Sequence, residues 1–224
     1  MADARRKTVA VDTSSVTGKD LGVVSSTTLS VTIADNPNMV SVIVNAGRNG
    51  GDMATGVSRD GNAYTLALRT NTTGLLVEIW YLINPNADTG NVTVEFGGDR
   101  EGDRGVLGHV ALYNVDTSDP VNITDKLDGT ANSISNSFTA TENNCVAVDG
   151  QFNTGEVGGT QASGQSLIHK QSANDSGGCS YETNIDAQAE AMGWTGLGAS
   201  SNYSHAVVVF QGVIPRRPKV IAIL

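Results

Sequence analysis

Apolar residues recur at every second position through much of this chain, and the clearest run is Leu75 to Phe96, LLVEIWYLINPNADTGNVTVEF. Leu75, Val77, Ile79, Tyr81 and Ile83 fall on one side of a period-two strand; after Asn84 to Gly90, Val92, Val94 and Phe96 do the same. The spacing predicts a hairpin that buries one face. The other face of its first strand carries Leu76, Glu78, Trp80 and Leu82. That face is too apolar to meet only water, so a second layer, a long loop or another subunit is expected over it.

The same pattern predicts strands at Thr8 to Asp12, Thr28 to Ile33, Met39 to Ala46, Ala63 to Arg69, Leu75 to Ile83, Asn91 to Phe96, Val106 to Val115, Ser133 to Ala140, Cys145 to Phe152, Ser166 to Gln171, Cys179 to Ile185 and Ser204 to Val213. Helical composition is confined to Asn184 to Met192, short enough for a single loop turn. No internal repeat stands out at a fixed period, which argues against a solenoid or propeller. Glycine-dense Asn153 to Gly164 and Gly97 to Gly105 read as long exposed loops. The expected fold is all-β: a β-sandwich, jelly-roll-like, formed as a single domain with long loops over residues 1–213. A chain of 224 residues is long for one domain but ordinary for a large sandwich.

Charge changes the picture at the two ends. Residues 1–7 carry +2 and residues 214–224 carry +3, which with −9 overall leaves −14 for the residues between. An acidic body repels nucleic acid and anionic membrane, so neither is expected as a partner. The segment Ile214 to Leu224, IPRRPKVIAIL, has two prolines that oppose helix, then five apolar residues. It reads either as a disordered end or as a docking arm. As an arm, Arg216, Arg217 and Lys219 would meet acidic groups, while Val220, Ile221, Ile223 and Leu224 add a strand or enter a groove. The opening Met-Ala-Asp-Ala-Arg-Arg-Lys is basic but has no apolar signal core after it, so synthesis in a cytoplasm without classical export is expected.

Candidate chemistry is sparse. The sequence has no Gly-x-Ser-x-Gly elbow, no phosphate-binding Gly-x-x-x-x-Gly-Lys-Ser/Thr loop, no His-Glu-x-x-His and no dinucleotide fingerprint. His109 and His205 lie in apolar strands and read as packed, hydrogen-bonded residues. Glu78 and Glu95 are the one carboxylate pair that a hairpin would bring face to face, as in a sandwich-fold glycosidase. Cys145, in a strand, and Cys179, in a loop after two glycines, read as free thiols without metal spacing. The five Asn-x-Ser/Thr triplets follow from an Asn/Thr-rich composition. Trp80 is the candidate interface or ligand platform and reads first as buried or interfacial; Trp194 reads as a loop anchor. No cofactor or metal is expected, and the chain does not read as an enzyme.

The run Ile79-Trp80-Tyr81-Leu82-Ile83-Asn84-Pro85, the Gly-containing turn, Asn91 to Phe96, and later His109 to Val115 and Ala206 to Val213 resemble β-sandwich domains of phage and virus particle-surface proteins and some bacterial surface proteins. The likeness covers about a third of the chain, and its motif is structural. It implies a capsid decoration or head-fibre protein on the virion surface, made in the host cytoplasm, contacting a major capsid or shell protein and forming a homo-oligomer. The alternative is a carbohydrate-binding or adhesin-like module that uses Trp80 or the two glycine-rich loops. A glycoside-active enzyme is the third reading.

The loop Asp99-Arg100-Glu101-Gly102-Asp103 alternates acids as a calcium loop does, but it lacks the later bidentate Glu, and Arg100 and Arg104 neutralise it. A chelator is therefore expected to leave the melting temperature unchanged. A fall of several degrees, reversed by calcium, would make Asp99, Glu101 and Asp103 ligands.

Overall fold

The computed structural model describes residues 6–22, 24–48, 53–72, 74–97, 105–155, 159–172, 176–198 and 201–214. Every regular element among them is a strand. The first nine are β1 (Ala10–Asp20), β2 (Ser26–Thr32), β3 (Val40–Arg48), β4 (Ala54–Arg59), β5 (Asn62–Ala63), β6 (Thr65–Thr72), β7 (Leu75–Ile83), β8 (Thr89–Phe96) and β9 (Gly105–Tyr113). The last eight are β10 (Val121–Ala131), β11 (Ser133–Thr139), β12 (Cys145–Asn153), β13 (Thr160–Gln161), β14 (Ser166–Gln171), β15 (Ser176–Ile185), β16 (Ala189–Thr195) and β17 (Ser201–Phe210). The protein is an all-β single domain, as the alternation predicted.

Four antiparallel sheets are stacked. Two inner sheets of five strands run β1-β9-β3-β7-β6 and β10-β17-β12-β15-β14, and two outer sheets run β2-β8-β4-β5 and β11-β16-β13. Burial explains the order. Inner strands β3, β9, β12 and β17 are buried along almost their whole length, so they need cover on both faces. Outer strands β2 and β11 alternate exposed and buried at every position, so one face meets water. The largest core cluster joins Val42, Val44, Val77, Ile79 and Val110 of the first inner sheet to Val146, Val148, Phe152, Val208 and Phe210 of the second. A second cluster, with Ile43, Trp80 and Leu107, lies under the first outer sheet; Met192, Trp194 and their neighbours fill the space under the second.

The strand orders reveal a duplication. Matching β1, β2, β3, β4, β6, β7, β8 and β9 to β10, β11, β12, β13, β14, β15, β16 and β17 turns each sheet of the first half into the corresponding sheet of the second. Register shifts recur at the same place, between Leu66 and Leu68 in one half and Leu167 and His169 in the other. Asn38 and Asn144, and likewise Asn84 and Asn184, hold positive φ just before or at the end of matching strands. Asparagine is among the few residues that accept this conformation. The halves meet isologously: β3 packs on β12, β7 on β12 as β15 does on β3, and β6 on β17 as β14 does on β9. The sequence shows no repeat at a fixed period because the duplication resides in topology and in a few short matches, such as STTLSVT in β2 against SISNSFT in β11.

Other expectations are corrected. Leu75 to Phe96 is not a hairpin: β7 pairs with β3 and β6 in an inner sheet, while β8 pairs with β2 and β4 in the outer one. The segment crosses between layers. Its two apolar faces are nevertheless explained, since the odd residues of β7 face the other half and the even ones face the outer sheet. Asn184 to Met192 is the β15–β16 connection and strand, not a helical turn, and Cys179 lies inside β15 rather than in a loop. Asn153 ends β12 buried, and Thr160–Gln161 forms β13, so only part of the expected loop there is irregular.

Close approach of the inner sheets requires small residues. A Cβ on Gly150 would sit 2.5 Å from Val44 Cγ1 and 2.8 Å from Val77 Cγ1. Gly150→Ala is expected to destabilise the fold by about 1–3 kcal/mol through overpacking. Gly56→Ala, whose Cβ would meet only the Glu95 carboxylate at 3.6 Å, should leave the melting temperature within a degree or two of the parent. Thermal unfolding of both variants checks this.

Candidate functional site

Among the described residues the histidines and carboxylates with a catalytic look are sealed inside, apart from His169, which stands at the surface 2.8 Å from Asp20. Ser41 Oγ lies 2.7 Å from His109 Nε2, and His109 Nδ1 lies 2.8 Å from the Ser15 carbonyl. That is a nucleophile–base arrangement in outline. Yet Ser41 and His109 are fully buried, and the Tyr64 hydroxyl occupies Ser41 at 2.6 Å. Burial pushes the His109 pKa down to about 4 and that of Tyr64 up to about 12, so both stay neutral at pH 7.

Glu78 is likewise buried, on the face of β7 that meets the outer sheet. It accepts hydrogen bonds from Arg69 Nε at 2.6 Å, Asn45 Nδ2 at 2.8 Å and the Ala54 N–H at 3.1 Å. Arg69 also lies 5.9 Å from the Trp80 ring. Glu95 projects to solvent from the opposite side of the outer sheet, so the two carboxylates do not converge. In the second half Asp149 plays the same part. It accepts from the Ser180 N–H at 3.0 Å, Trp194 Nε1 at 2.9 Å and Gln165 Nε2 at 3.3 Å, and pairs with His205 Nε2 at 2.9 Å. Both carboxylates are thereby hydrogen-bonded beneath the outer sheets, while among the described residues Trp80 Nε1 and His205 Nδ1 beside them are buried without a hydrogen-bond partner.

Trp80 is 9% exposed and Trp194 is fully buried, so neither offers a sugar platform. Trp194 belongs to β16 rather than to a loop. The cysteines are free and buried, and burial pushes both thiol pKa values up, to about 11 for Cys145. Among the described residues no group of three metal-ligating side chains is found, and no helix is long and apolar enough to cross a membrane. Asp99, Glu101 and Asp103 lie outside the described residues, as do Arg216, Arg217, Lys219, Val220, Ile221, Ile223 and Leu224.

What the fold does bring together is the pair of segments leading to the basic ends. The Lys7 N–H donates to the Val213 carbonyl at 2.9 Å, the Val213 N–H to Asn114 at 2.9 Å, and the Val9 N–H to Asn144 at 2.9 Å. Arg6 locks this seam, donating to the Gly212 carbonyl at 2.8 Å and pairing with Asp116 at 3.2 Å and Glu142 at 3.1 Å. Partial burial works against ionising Asp116. Hydrogen bonds from Ser118, Arg6 and the Asp119 N–H outweigh it and hold the carboxyl below its usual range. An open cleft of about 630 Å³ lies here, lined by Lys7, Asn38, Asp116, Ser118, Val213 and Ile214. Ile214, 46% exposed, is the one large apolar side chain standing in water among the described residues. No periodicity in the sequence announced this seam, because it depends on residues from both halves.

No family model, no curated protein and no solved structure matches this chain.

The buried histidine sets a pH dependence. In the unfolded chain an imidazole titrates near 6.5, while folded His109 does so near 4, so between these values only the unfolded state takes the proton. The contribution of neutral His109 is therefore complete above about pH 6.5 and is lost as the pH falls towards 4, by on the order of 3 kcal/mol. Asp116, whose pKa is depressed instead, adds stability above its unfolded value near 3.8 that is lost only at still lower pH. Urea unfolding at pH 7 and pH 4.5 measures the first effect. His109→Gln should be less stable at pH 7 and show a flatter slope across that window.

Proposed function

We propose that this protein is a structural component displayed on a viral or phage particle, as a capsid decoration or minor capsid protein, attached through its chain ends to a major capsid or shell protein. The observation that carries the reading is the seam of residues 6–9 with 211–214, which places the two routes to the basic segments side by side at one end of an acidic body. A rigid body held at one end by basic, partly apolar segments suits display: the acidic remainder stays soluble, and attachment is confined to one place. Sequestration of Glu78, Asp149, His109 and His205 inside the stack fits a role without chemistry. The strand order adds support for a jelly-roll relationship. Setting aside the two-residue β5, the first, eighth, third, sixth and fifth strands of each half form one sheet, and the second, seventh and fourth form the other. That alternation between sheets is the jelly-roll habit, and capsid proteins use it widely. On this reading the protein is made in the host cytoplasm, acts at the virion surface and works as a homo-oligomer, with no nucleic acid, membrane or cofactor.

On the carbohydrate-binding or adhesin-like alternative, Trp80 at 9% exposed is no open platform, and binding would fall to the Gly97 to Gly105 and Asn153 to Gly164 loops, parts of which lie outside the described residues.

Deletion of Pro215 to Leu224 tests the proposal. The truncated protein should melt within a few degrees of the full chain yet fail to co-sediment with particles that lack it. Co-sedimentation at undiminished affinity would overturn attachment through this segment.

A further inference from the structure

Internal duplication makes each half a reference for the other, and one border of the second outer sheet departs from its counterpart. Glu182 of β15 stands opposite Ala147 of β12, and Glu190 of β16 opposite Phe138 of β11. Directly paired residues share a face, and Ala147 and Phe138 both belong to the apolar cluster between the layers. The two carboxylates therefore point into the same interlayer space, one from the inner sheet and one from the outer, and both are partly buried. In the first half the matching positions hold Leu82, opposite Ser41, and Gly90, opposite Val31. Leu82 packs against the apolar cluster there, so the fold itself asks for no acid at this place. The cation of the first half has no counterpart either. A Cβ on Gly90 would lie 3.1 Å from Arg59 Nη2, whereas β13 ends at Gln161, opposite Trp194, before reaching the position that Arg59 takes opposite Val92.

Glu182 is consequently left without a partner. Among the described residues no hydrogen-bond donor or cation meets its carboxylate, while Glu190 accepts from Gln188 Nε2 at 2.7 Å. The titratable groups facing Glu182 are Glu190 from β16, Asp149 from β12 and, paired with Asp149, His205 from β17; β11 and the β13–β14 connection contribute none. Burial first, then Glu190 and Asp149, raise its pKa above the ordinary 4.5. The carboxylate also lies against the connection that joins the two layers. A Cβ on Gly164 would sit 2.6 Å from Glu182 Oε1. The next residue, Gln165, donates to Ser180 Oγ of the inner sheet at 2.7 Å, and its Oε1 accepts the Gly193 N–H of the outer sheet at 2.9 Å. The Ala162 N–H donates to the Gly193 carbonyl at 2.9 Å.

We propose that Glu182 and Glu190 form a pH-sensitive latch, which holds the β13–β16 border of the second outer sheet shut while Glu182 is protonated and loosens it once both carboxylates are charged. Like charges in a partly buried gap repel, and lifting the border lets water take up each of them. Linkage gives the sign. A carboxyl whose pKa is raised in the closed layer keeps its proton there longer than in water, so closure is tightest below about pH 4.5 and weakens as the pH rises through the value in the closed layer. His109, beneath the first outer sheet, acts in the opposite direction. Acid thus tightens one outer layer while it weakens the other.

Amide exchange on the full chain tests the latch without particles and independently of the attachment reading. The Gly193 and Ala162 amides report the second outer sheet, and the Ile33 amide, which donates to the Asp88 carbonyl at 3.0 Å, reports the first. Corrected for the intrinsic effect of pH, protection at Gly193 and Ala162 should fall by roughly threefold or more between about pH 4.5 and about pH 8, while protection at Ile33 should not fall. Glu182→Gln, which removes the charge and keeps the shape, should restore protection at the higher pH and change little at the lower. Glu182→Leu, which copies Leu82, should do the same. A readout that needs no variant is the titration of the Glu182 carboxyl followed by carbon-13 NMR, whose midpoint should lie above 4.5. Protection at Gly193 and Ala162 that does not fall with rising pH overturns the latch. So does a Glu182→Gln protein that exchanges like the parent at about pH 8, or a Glu182 midpoint at or below 4.5.

Discussion

The face-to-face burial of two five-stranded sheets is the constraint on which the rest of the molecule depends. Each inner sheet is apolar on both sides, so pairing them covers only half of what must leave water. The outer sheets supply the remaining cover. Their own outward faces are Ser- and Thr-rich, as Ser26, Thr28, Ser30 and Thr32 in β2 and Ser133, Ser135, Ser137 and Thr139 in β11 show. The stack therefore ends where polar side chains can meet solvent without further layers. The same constraint makes the buried acids expensive. Glu78 and Asp149 persist only because each collects several donors from neighbouring strands, and a carboxylate so enclosed is part of the architecture rather than a reagent.

The two halves solve one packing problem with different residues. Register places Trp80 of β7 opposite Ile43 and Ser180 of β15 opposite Asp149, so the large side chain of the first half corresponds to a serine in the second. The lost volume returns from the facing layer. Trp194 projects from β16 into that space, and a Cβ on Gly178 would lie 2.6 Å from its ring. The position of Gly178 matches that of Glu78, so the bulky, charged side chain of one half is a missing side chain in the other. Total volume and patterning are kept while residue identities drift, which is what dense interiors tolerate best.

That drift also explains what could be read from the sequence. The all-β class and most inner strands were legible, because Val- and Ile-rich runs such as Val40 to Val44 and Ala206 to Phe210 leave few alternatives. The covered second face of β7 was legible from Trp80 and Leu82 alone. β4, β5, β10, β13 and β16 were not: β10 reads VNITDKLDGTA, too polar to announce a strand until β17 is seen beside it. Ala189–Thr195 has helical composition, and tertiary pairing with β11 overrides it. The hairpin expectation failed because period two specifies a strand but not its sheet; Asn84 to Asp88 is long enough to carry the chain to another layer. Of the candidate site, the burial of Trp80 and the packing of His109 and His205 were legible. The seam of Arg6, Asp116, Glu142 and Gly212 was not, since its members are spread over more than two hundred residues.

Duplication gives two nearly equivalent cores, so whatever distinguishes one half from the other must lie where the symmetry fails. It fails at the edges and at the seam. Residues 6–9 enter β1 after hydrogen-bonding to Val213 and Asn144 of the second half, which ties the first edge of one repeat to the body of the other. The lead-in to β10 is tied down in the same way, the Val115 N–H donating to Asn38 of the first half at 3.1 Å, and the difference is Arg6, which joins the first lead-in to Asp116 and Glu142. A symmetric pair of repeats would offer two equivalent edges and so assemble without direction. Both first strands carry a register shift, β1 in mid-strand between Asp12 and Thr17 and β10 at its start between Val121 and Ile123, so the two edges differ in where their pairing breaks. In framework, what tells the repeats apart is thus the place of the bulge in their first strands and the Arg6 seam between them, while the two cores stay equivalent.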